Sequence, residues 1–250
     1  MSYVSTVIAD APLHFWRAAD GGGQLAHDLG SRPWTIHCGS LLLGYTGVNS
    51  DGGAMFCAGN NGLTSAQALP GTLIAPVTIE MFVYTVDFTG VFQDLCDISG
   101  GANSLLMGWN ATGHFQFGTA GVAAIDPTAH TDQAWYHLVG TYDLANVRLY
   151  VNAVNVATQA AVAAQTYTGQ QIGWGESRTG ANPSYTLIAE CCVYNVALAA
   201  ARVTAHFTAS GWPGTSPIYQ APATFDPASG TTTPDSTTLT QILNAVRKTY

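Results

Sequence analysis

The stretch from Trp135 to Asn152 limits the possible folds of this chain more than any other. Its first half alternates bulky and small residues and ends at Asp143, and residues 144–146 form a short break. The second half alternates again, and one of its faces consists of Val147, Leu149 and Val151. Two alternating runs joined by a few turn-prone residues predict a β-hairpin. One face of this hairpin can enter a core, because side chains alternate across a strand.

The rest of the chain up to Tyr194 repeats this pattern of short strands and turns. The run Gly59-Asn60-Asn61-Gly62 is a strong turn signal. Residues 77–86 are apolar on both faces except at Glu80, which predicts a central strand covered on both sides. Many short strands separated by Gly, Asn and Asp turns predict an all-β antiparallel sandwich or jelly roll, for which 250 residues are enough.

The C-terminal part of the chain changes character twice. Residues 198–209 predict a short helix after the last strand, which completes a domain over residues 1–210. Residues 211–235 are rich in Pro, Gly, Ser and Thr and predict a linker arm. Residues 236–250 predict an amphipathic assembly helix with an apolar stripe of Leu239, Ile242, Leu243 and Val246. A helix this short needs tertiary contacts, which its own sandwich, other copies of the chain or another protein could supply.

Composition excludes several classes of function. Charged residues make up only 9% of the chain, the net charge is −8, and Lys248 is the single lysine. Binding to a phosphate backbone needs clustered cations, so we expect no nucleic-acid partner. The uncharged polar surface suits a glycan, another protein or a packed assembly. We also expect no signal peptide and no membrane insertion, because neither a basic N-terminus nor an apolar run of ~18–20 residues is present.

The cysteines predict buried reduced thiols. There are five of them, an odd number, and no Cys-x-x-Cys pair occurs. Cys191 and Cys192 are neighbours in a strand-like run, so their side chains should point to opposite faces. A zinc site or a disulfide framework is therefore not expected, and the chain is expected to be made in a reducing cytoplasm.

Four segments resemble one known family. They are residues 7–17, 77–83, 135–152 and 188–198, in the family's order. All four resemble segments of laminin-G-like, concanavalin-A-like jelly-roll domains, and the resemblance spans residues 3–210. It implies a jelly-roll sandwich. It does not fix the function, because this fold hosts lectins, glycosidases, adhesion modules and virion proteins.

Two departures from the family bear on metal binding. Some relatives hold calcium with loop carboxylates and carbonyls. Here Ala189 replaces an acidic residue, and residues 56–59 lack the aspartate of the family's turn. We therefore predict no cofactor, with calcium as the alternative. Its candidate ligands, which can equally be turn-forming residues, are Asp20, Asp28 and Asp143.

The sequence shows no catalytic motif. Relatives that hydrolyse glucans carry a Glu-x-Asp-x-x-Glu strand whose glutamates act as nucleophile and acid/base. The three glutamates of this chain, Glu80, Glu176 and Glu190, lie in no such motif. Glu80 is the best single candidate, since an apolar strand would raise its pKa, although both it and Glu190 can be buried hydrogen-bonded residues instead. The histidines lack zinc-ligand spacing. We predict no catalytic residues and no enzyme activity.

Four aromatic residues lie in or beside predicted loops, where their rings could stack on sugars or bind a protein. The four candidates are Trp34, Trp109, Trp174 and Tyr185. The alternative is that their rings anchor loops or fill the core. Trp16 and Trp135 lie inside the family segments and are predicted to be core residues.

The C-terminal part adds a second resemblance, to minor tail and other virion proteins of phages of actinobacteria. It implies a non-enzymatic virion structural protein, a minor tail or capsid-surface component located in the virion. Such a protein would display a lectin-like domain, contact other virion proteins and host-surface glycans, and form an oligomer, with a trimer favoured. The alternative is a carbohydrate-binding module or a degenerate glycosidase of the concanavalin-A-like fold.

Overall fold

The structure is a computed structural model. It describes residues 2–18, 25–33, 36–37, 42–48, 53–58, 63–64, 72–85, 90–100, 103–119, 121–131, 133–161, 165–168, 171–175, 177, 182–212, 223–226 and 231–234. The two helices are α1 (Tyr3–Ile8) and α2 (Ala200–Ala209). The strands are β1 (His14–Trp16), β2 (Leu25–Ala26), β3 (Ile36–His37), β4 (Leu42–Thr46), β5 (Gly53–Ala58), β6 (Leu63–Thr64), β7 (Thr72–Ile74), β8 (Val77–Thr85), β9 (Gln93–Gly100), β10 (Asn103–Trp109), β11 (Phe115–Thr119), β12 (Val122–Ile125), β13 (Trp135–Tyr142), β14 (Asn146–Val151), β15 (Val154–Ala160), β16 (Thr166–Thr168), β17 (Gln171–Trp174), β18 (Tyr185–Tyr194), β19 (Ala223–Asp226) and β20 (Thr231–Pro234).

Two antiparallel sheets form the body of the protein. Sheet A has eight strands, in the order β15-β14-β13-β8-β18-β5-β4, and β1 also pairs with β18. Sheet B has six strands, in the order β12-β11-β10-β9-β17-β6. Three two-stranded pairs complete the described strands, namely β16-β7, β19-β20 and β2-β3. Strands distant in sequence are neighbours in both sheets, as expected for an antiparallel jelly roll.

The main core lies between the two sheets. Alternate residues of β8 point into it, including Ile79 and Met81, and face rings of sheet B such as Phe117. At Gly140 of β13 a side chain would have no room, because a Cβ there would lie 2.2 Å from the Phe117 ring. The glycine therefore allows the two sheets to approach each other at this point.

A second apolar layer covers the outer face of sheet A. It contains Tyr3 and Val7 from α1, Val203 from α2, and outward-facing sheet residues such as Phe82 and Tyr194. Both described helices therefore pack on the same side of the molecule. As a result β8 is covered on both faces, as the sequence predicted.

Several other predictions are confirmed. The hairpin consists of β13 and β14, and its predicted inward residues Val147, Leu149 and Val151 are all in the main core. The helix after the last strand is α2. Cys191 faces the main core and Cys192 faces the layer under the helices, so the neighbouring thiols do point to opposite faces.

Two elements differ from the sequence-based expectation. Helix α1 was not predicted; Ser2 caps its start by accepting a hydrogen bond from the Ser5 amide. Within the segment predicted as a linker arm, β19 and β20 pair as an antiparallel hairpin. The predicted C-terminal helix, with Leu239, Ile242, Leu243 and Val246, lies outside the described residues.

Candidate functional site

The outer face of sheet B is the candidate site. Gln116 of β11, Leu106 of β10 and Ala123 of β12 are half-buried there, and Ile125 at the edge is exposed. The described helices pack on sheet A, so neither of them covers this face. Partly exposed side chains on an ordered sheet provide a rigid surface for a ligand.

Two buried carboxyl groups of strand β9, Asp94 and Asp97, belong to this outer side of the sheet. Asp94 pairs with Gly108 of β10, and Asp97 pairs with Leu106. A β-bulge in β9 places both Leu95 and Cys96 toward the main core, so that Asp94 and Asp97 emerge on the same outer face. We call this surface, with Asp94, Asp97 and their sheet neighbours, the Asp94 face.

Asn182 holds the Asp94 side chain in place. Its Nδ2 donates to Asp94 Oδ2 at 3.1 Å, and its carbonyl accepts from the Asp94 amide at 2.8 Å. The second carboxyl oxygen, Oδ1, is buried and has no hydrogen-bond partner among the described residues. A buried polar atom without a partner is costly, so a hydrogen bond to this oxygen would be stabilising if a donor could reach it.

The Asp94 carboxyl has an unusual acidity. Burial raises its pKa to about 7, the hydrogen bond from Asn182 acts against the rise, and the charge of Asp97 adds to it. At neutral pH the group is therefore divided between a carboxylic acid, which can donate and accept, and a carboxylate, which only accepts.

Phe92 borders the Asp94 face. The half-buried ring lies over Gly108, where an added Cβ would lie 2.5 Å from its Cζ atom. Val91, beside it in the sequence, is exposed. An aromatic edge beside hydrogen-bonding carboxyl groups is a combination that can contact both the apolar and the hydroxyl faces of a sugar.

A second group of polar residues lies on the opposite side of the molecule, under the helices. Glu80 of β8 is fully buried and accepts hydrogen bonds from Tyr3, His137, Tyr194 and His206. His206 also bonds to Asp10 at 2.8 Å, and Asp10 accepts from Arg202. We call these seven residues the Glu80 cluster.

The sequence-based expectation for the Glu80 pKa was wrong. Burial does raise it, as expected, but the charge of His206 and the hydrogen bonds from His137 and His206 outweigh burial and hold the pKa well below its usual range. The four donors occupy the acceptor positions of the carboxylate, which leaves none for a substrate. Glu190 is also buried and accepts from Arg17 Nη2 at 2.9 Å. Glu176 lies outside the described residues.

The proposed sugar-contacting aromatic residues fall in different places. Trp109 and Trp174 are fully buried in the main core, so the prediction of a ligand contact does not fit them. Their rings face inward on strands of sheet B and present no surface to a sugar. Tyr185 is half-buried at the start of β18, and its contact with a glycan stays a prediction. Trp34 lies outside the described residues. Trp16 and Trp135 are in the core, as predicted.

The candidate calcium ligands have other roles where they are described. Asp28 accepts from the His14 ring at 2.7 Å and from two backbone amides. Asp143 closes the hairpin turn and pairs with Arg148. Asp20 lies outside the described residues. Among the described residues no group of three or more His, Cys, Asp or Glu side chains could hold a metal ion.

The sequence did not single out Asp94 and Asp97. Strict alternation would place residues three positions apart on opposite faces of a strand. Only the bulge in β9 brings them together. The available signal was the pair of aspartates on either side of Leu95 and Cys96.

Two packed antiparallel sheets, with the described helices on one outer face, define a β-sandwich of the jelly-roll class. The chain belongs to the concanavalin A-like lectin/glucanases superfamily, whose model matches residues 58–204, more than half of the chain. No curated protein sequence matches the chain.

Several solved structures share the fold. The binding domain of botulinum neurotoxin serotype G has a TM-score of 0.61 at 11% identity, covering 79% of this chain and 50% of that one. A second similar structure is domain 4 of AbnA, a GH43 extracellular arabinanase from Geobacillus stearothermophilus, in complex with arabinotriose. Its TM-score is 0.60 at 15% identity, and the match covers 78% of this chain and 97% of that one.

A third is the ligand-binding domain of botulinum neurotoxin serotype D in complex with N-acetylneuraminic acid. Its TM-score is 0.61 at 8% identity, and the match covers 81% of this chain and 52% of that one. These identities show a shared fold alone. The chain spans about half the length of the two neurotoxin domains. None of the described helices is long and apolar enough to cross a membrane.

Proposed function

We propose that this protein is a non-enzymatic carbohydrate-binding module that contacts its glycan through the Asp94 face. The observation that carries the proposal is the placement of Asp94 and Asp97 side by side on the sheet face that the described helices leave uncovered. The superfamily includes lectins, and two similar structures contain a bound sugar, which supports a glycan as the ligand class.

The chemistry of the face fits a hydroxyl-rich ligand. Binding requires a small opening above Asp94, whose Oδ1 is buried in the unbound protein. A sugar hydroxyl could then donate to that oxygen and accept from the carboxyl when it is protonated. The half-buried Leu106 and Ala123 side chains offer apolar contact for the C–H face of a sugar ring. Binding would therefore combine a few directed hydrogen bonds with a flat apolar platform.

A glycan array followed by titration calorimetry tests the proposal. We expect the full chain to bind at least one glycan, and Asp94→Ala and Asp97→Ala each to weaken that binding about tenfold or more, the cost of ~1.4 kcal/mol. Asp143→Ala is the matched control, since it removes a carboxylate from the hairpin turn of sheet A. Unchanged affinity in both Asp94 and Asp97 variants would place the site elsewhere, and the absence of any glycan ligand would refute the function.

We further propose that the module is displayed on a phage particle, as a minor tail or capsid-surface component. The resemblance of the C-terminal segment to virion proteins supports this, and residues 239–246 would fix the module to the particle or to other copies. Mass spectrometry of purified particles should detect the protein in stoichiometric amounts. Its absence from particles, with the protein free in the lysate, would exclude the virion role.

One observation favours a second function, hydrolysis of a glycosidic bond. Asp94 has a pKa of about 7 and lies beside Asp97, and a carboxylic acid next to a carboxylate is the pairing that glycosidases use. Release of reducing sugar from a bound glycan, abolished by Asp94→Asn, would establish it. We expect no release, because binding alone explains the arrangement.

A further inference from the structure

The Glu80 cluster connects the outer face of sheet A to both helices through a chain of alternating charges. Glu80 Oε2 lies 2.8 Å from His206 Nδ1, and His206 Nε2 lies 2.8 Å from Asp10 Oδ2. Arg202 Nε lies 2.8 Å from the same Asp10 oxygen. Glu80 belongs to β8, His206 and Arg202 belong to α2, and Asp10 follows α1. One row of contacts therefore joins three elements.

The geometry defines the protonation of His206. A carboxylate only accepts hydrogen bonds, so each ring nitrogen must donate to the carboxylate beside it. A histidine that donates from both nitrogens is an imidazolium. Its positive charge lies between the negative charges of Glu80 and Asp10, and the fully buried ring is shielded from water. Charged hydrogen bonds of this kind are roughly twice as strong as neutral ones.

The Glu80 cluster also provides the polar contacts that hold α1. Tyr3 donates its hydroxyl to Glu80 at 3.1 Å, and Arg202 Nη2 donates to the Thr6 carbonyl at 3.3 Å. Apart from these contacts, a few apolar side chains, among them Val7 and Val203, attach the two short helices to the sheet. Helices of this length are marginal without tertiary contacts.

We infer that the Glu80–His206–Asp10 contact attaches α1 and α2 to sheet A in a pH-dependent way. The attachment weakens when His206 loses its proton. A neutral imidazole can donate to only one of the two carboxylates, and the other would then face a lone pair. A buried carboxylate without its donor is strongly unfavourable, so the helices would separate from the sheet more readily. This inference is independent of the proposed glycan site, which lies on the opposite sheet.

The direction of the pH effect follows from the charges that face His206. Burial lowers its pKa, but the Glu80 carboxylate, followed by Asp10, outweighs burial and raises it. Tyr3 and Tyr194 also contact the ring, and burial raises the pKa of both phenols, so neither ionises before His206. His137 bonds to Glu80 and Arg202 bonds to Asp10, so each shares a carboxylate with His206.

A raised pKa gives a stabilising contribution that is complete below about pH 6.5. That contribution disappears as the pH rises through the raised pKa of the folded protein. Acid does not weaken the contact through Glu80, whose pKa is held well below its usual range.

Hydrogen–deuterium exchange of the full chain at pH 6, 8 and 10 tests the inference. Protection factors, corrected for the intrinsic exchange rate, are compared between peptides of α1 and α2 and peptides of β9 and β10. We expect the protection of both helices to fall about tenfold or more between pH 6 and pH 10, because deprotonation of His206 removes a hydrogen bond to a charged group. Sheet B should lose less protection than the helices, and the part of its loss that follows ionisation of Asp94 should be absent in Asp94→Asn.

His206→Gln removes the titrating group while keeping a polar side chain. We expect its helices to exchange rapidly and with no pH response, and His130→Gln, which removes a half-buried histidine near sheet B, to behave like the wild type. Should His206→Gln not fold, the ¹⁵N shifts of the wild-type imidazole give the same answer. They should show both nitrogens protonated at pH 6 and a transition that coincides with helix release.

Wild-type helices whose protection follows sheet B at every pH would overturn the inference. The same holds for a His206→Gln protein that keeps the wild-type pH response. An imidazole that titrates without any change in helix protection would also overturn it.

Discussion

Asp94 and Glu80 are both buried carboxyl groups, yet their neighbours shift their pKa values in opposite directions. Glu80 has four hydrogen-bond donors, one of them a cation, and its pKa is lowered. Asp94 has the Asn182 side chain as its donor and Asp97 as a negative neighbour, and its pKa rises to about 7. All acceptor positions of the Glu80 carboxylate are occupied, whereas Asp94 has one buried oxygen with no hydrogen-bond partner among the described residues.

This difference predicts how Asp94 affects stability. Because its pKa is raised in the folded state, its contribution to the free energy of unfolding is present at low pH and is lost as the pH rises through about 7. Asp94→Asn keeps an acceptor for Asn182 and cannot ionise. We expect it to raise the free energy of unfolding by ~1–3 kcal/mol at pH 8 and to change it little at pH 4.

Urea denaturation at the two pH values measures this effect. Asp143→Asn is the control, since Arg148 and the turn amides lower the pKa of that partly exposed carboxyl. Asp143→Asn should lower the free energy of unfolding by about 1 kcal/mol or less at pH 8. If Asp94→Asn lowers the free energy of unfolding equally at both pH values, the pKa of the Asp94 carboxyl is not raised in the folded protein.

At the scale of elements, the sequence predicted the strands with clear alternation and missed the short helix. Val147, Leu149 and Val151 defined the inward face of β14 because a strand repeats every two residues. Helix α1 is only six residues long, which is too short for a helical stripe to stand out. The β-bulge in β9 was equally invisible, because it arises from the pairing of β9 with β10 and from no local residue type. The sequence therefore showed the two aspartates of β9 but could not place them on the same face.

The packing of sheet A on sheet B predicts the effect of a single methyl group. Gly140→Ala would place a Cβ against the Phe117 ring, which is itself fully buried. We expect a loss of ~1–3 kcal/mol in the free energy of unfolding, the usual cost of overpacking a core. Urea denaturation measures it.

The double variant Gly140→Ala/Phe117→Leu provides the control. If the clash with the ring is the cause, the two changes should be less destabilising together than the sum of the single effects. Strict additivity, or a Gly140→Ala protein as stable as the wild type, would contradict the close approach of the two sheets.

At the scale of the whole molecule, the two sides of the sandwich differ. The described helices and the Glu80 cluster cover sheet A, while the outer face of sheet B carries half-buried side chains beside the buried carboxyl groups of Asp94 and Asp97. A module displayed on a particle needs one face for its ligand and a separate means of attachment. The C-terminal segment is the proposed attachment.

Light scattering of the full chain and of a chain ending at Gly211 tests this attachment. We expect the full chain to be a trimer or larger and the shortened chain to be a monomer, because the apolar stripe over residues 239–246 is removed. If both the full chain and the shortened chain are monomers, the C-terminal helix does not bind other copies of the chain. If both chains form oligomers with the same number of copies, the interface lies on the sandwich.

The most direct test of the glycan-binding site is the exchange footprint of a bound glycan. Amide exchange is measured on the full chain with and without the best ligand from the array, at saturating concentration. We expect added protection in residues 93–97, 106–108 and 182–184, and no change in α2 or β15. Protection confined to any other part of the molecule would contradict the Asp94 face as the binding site.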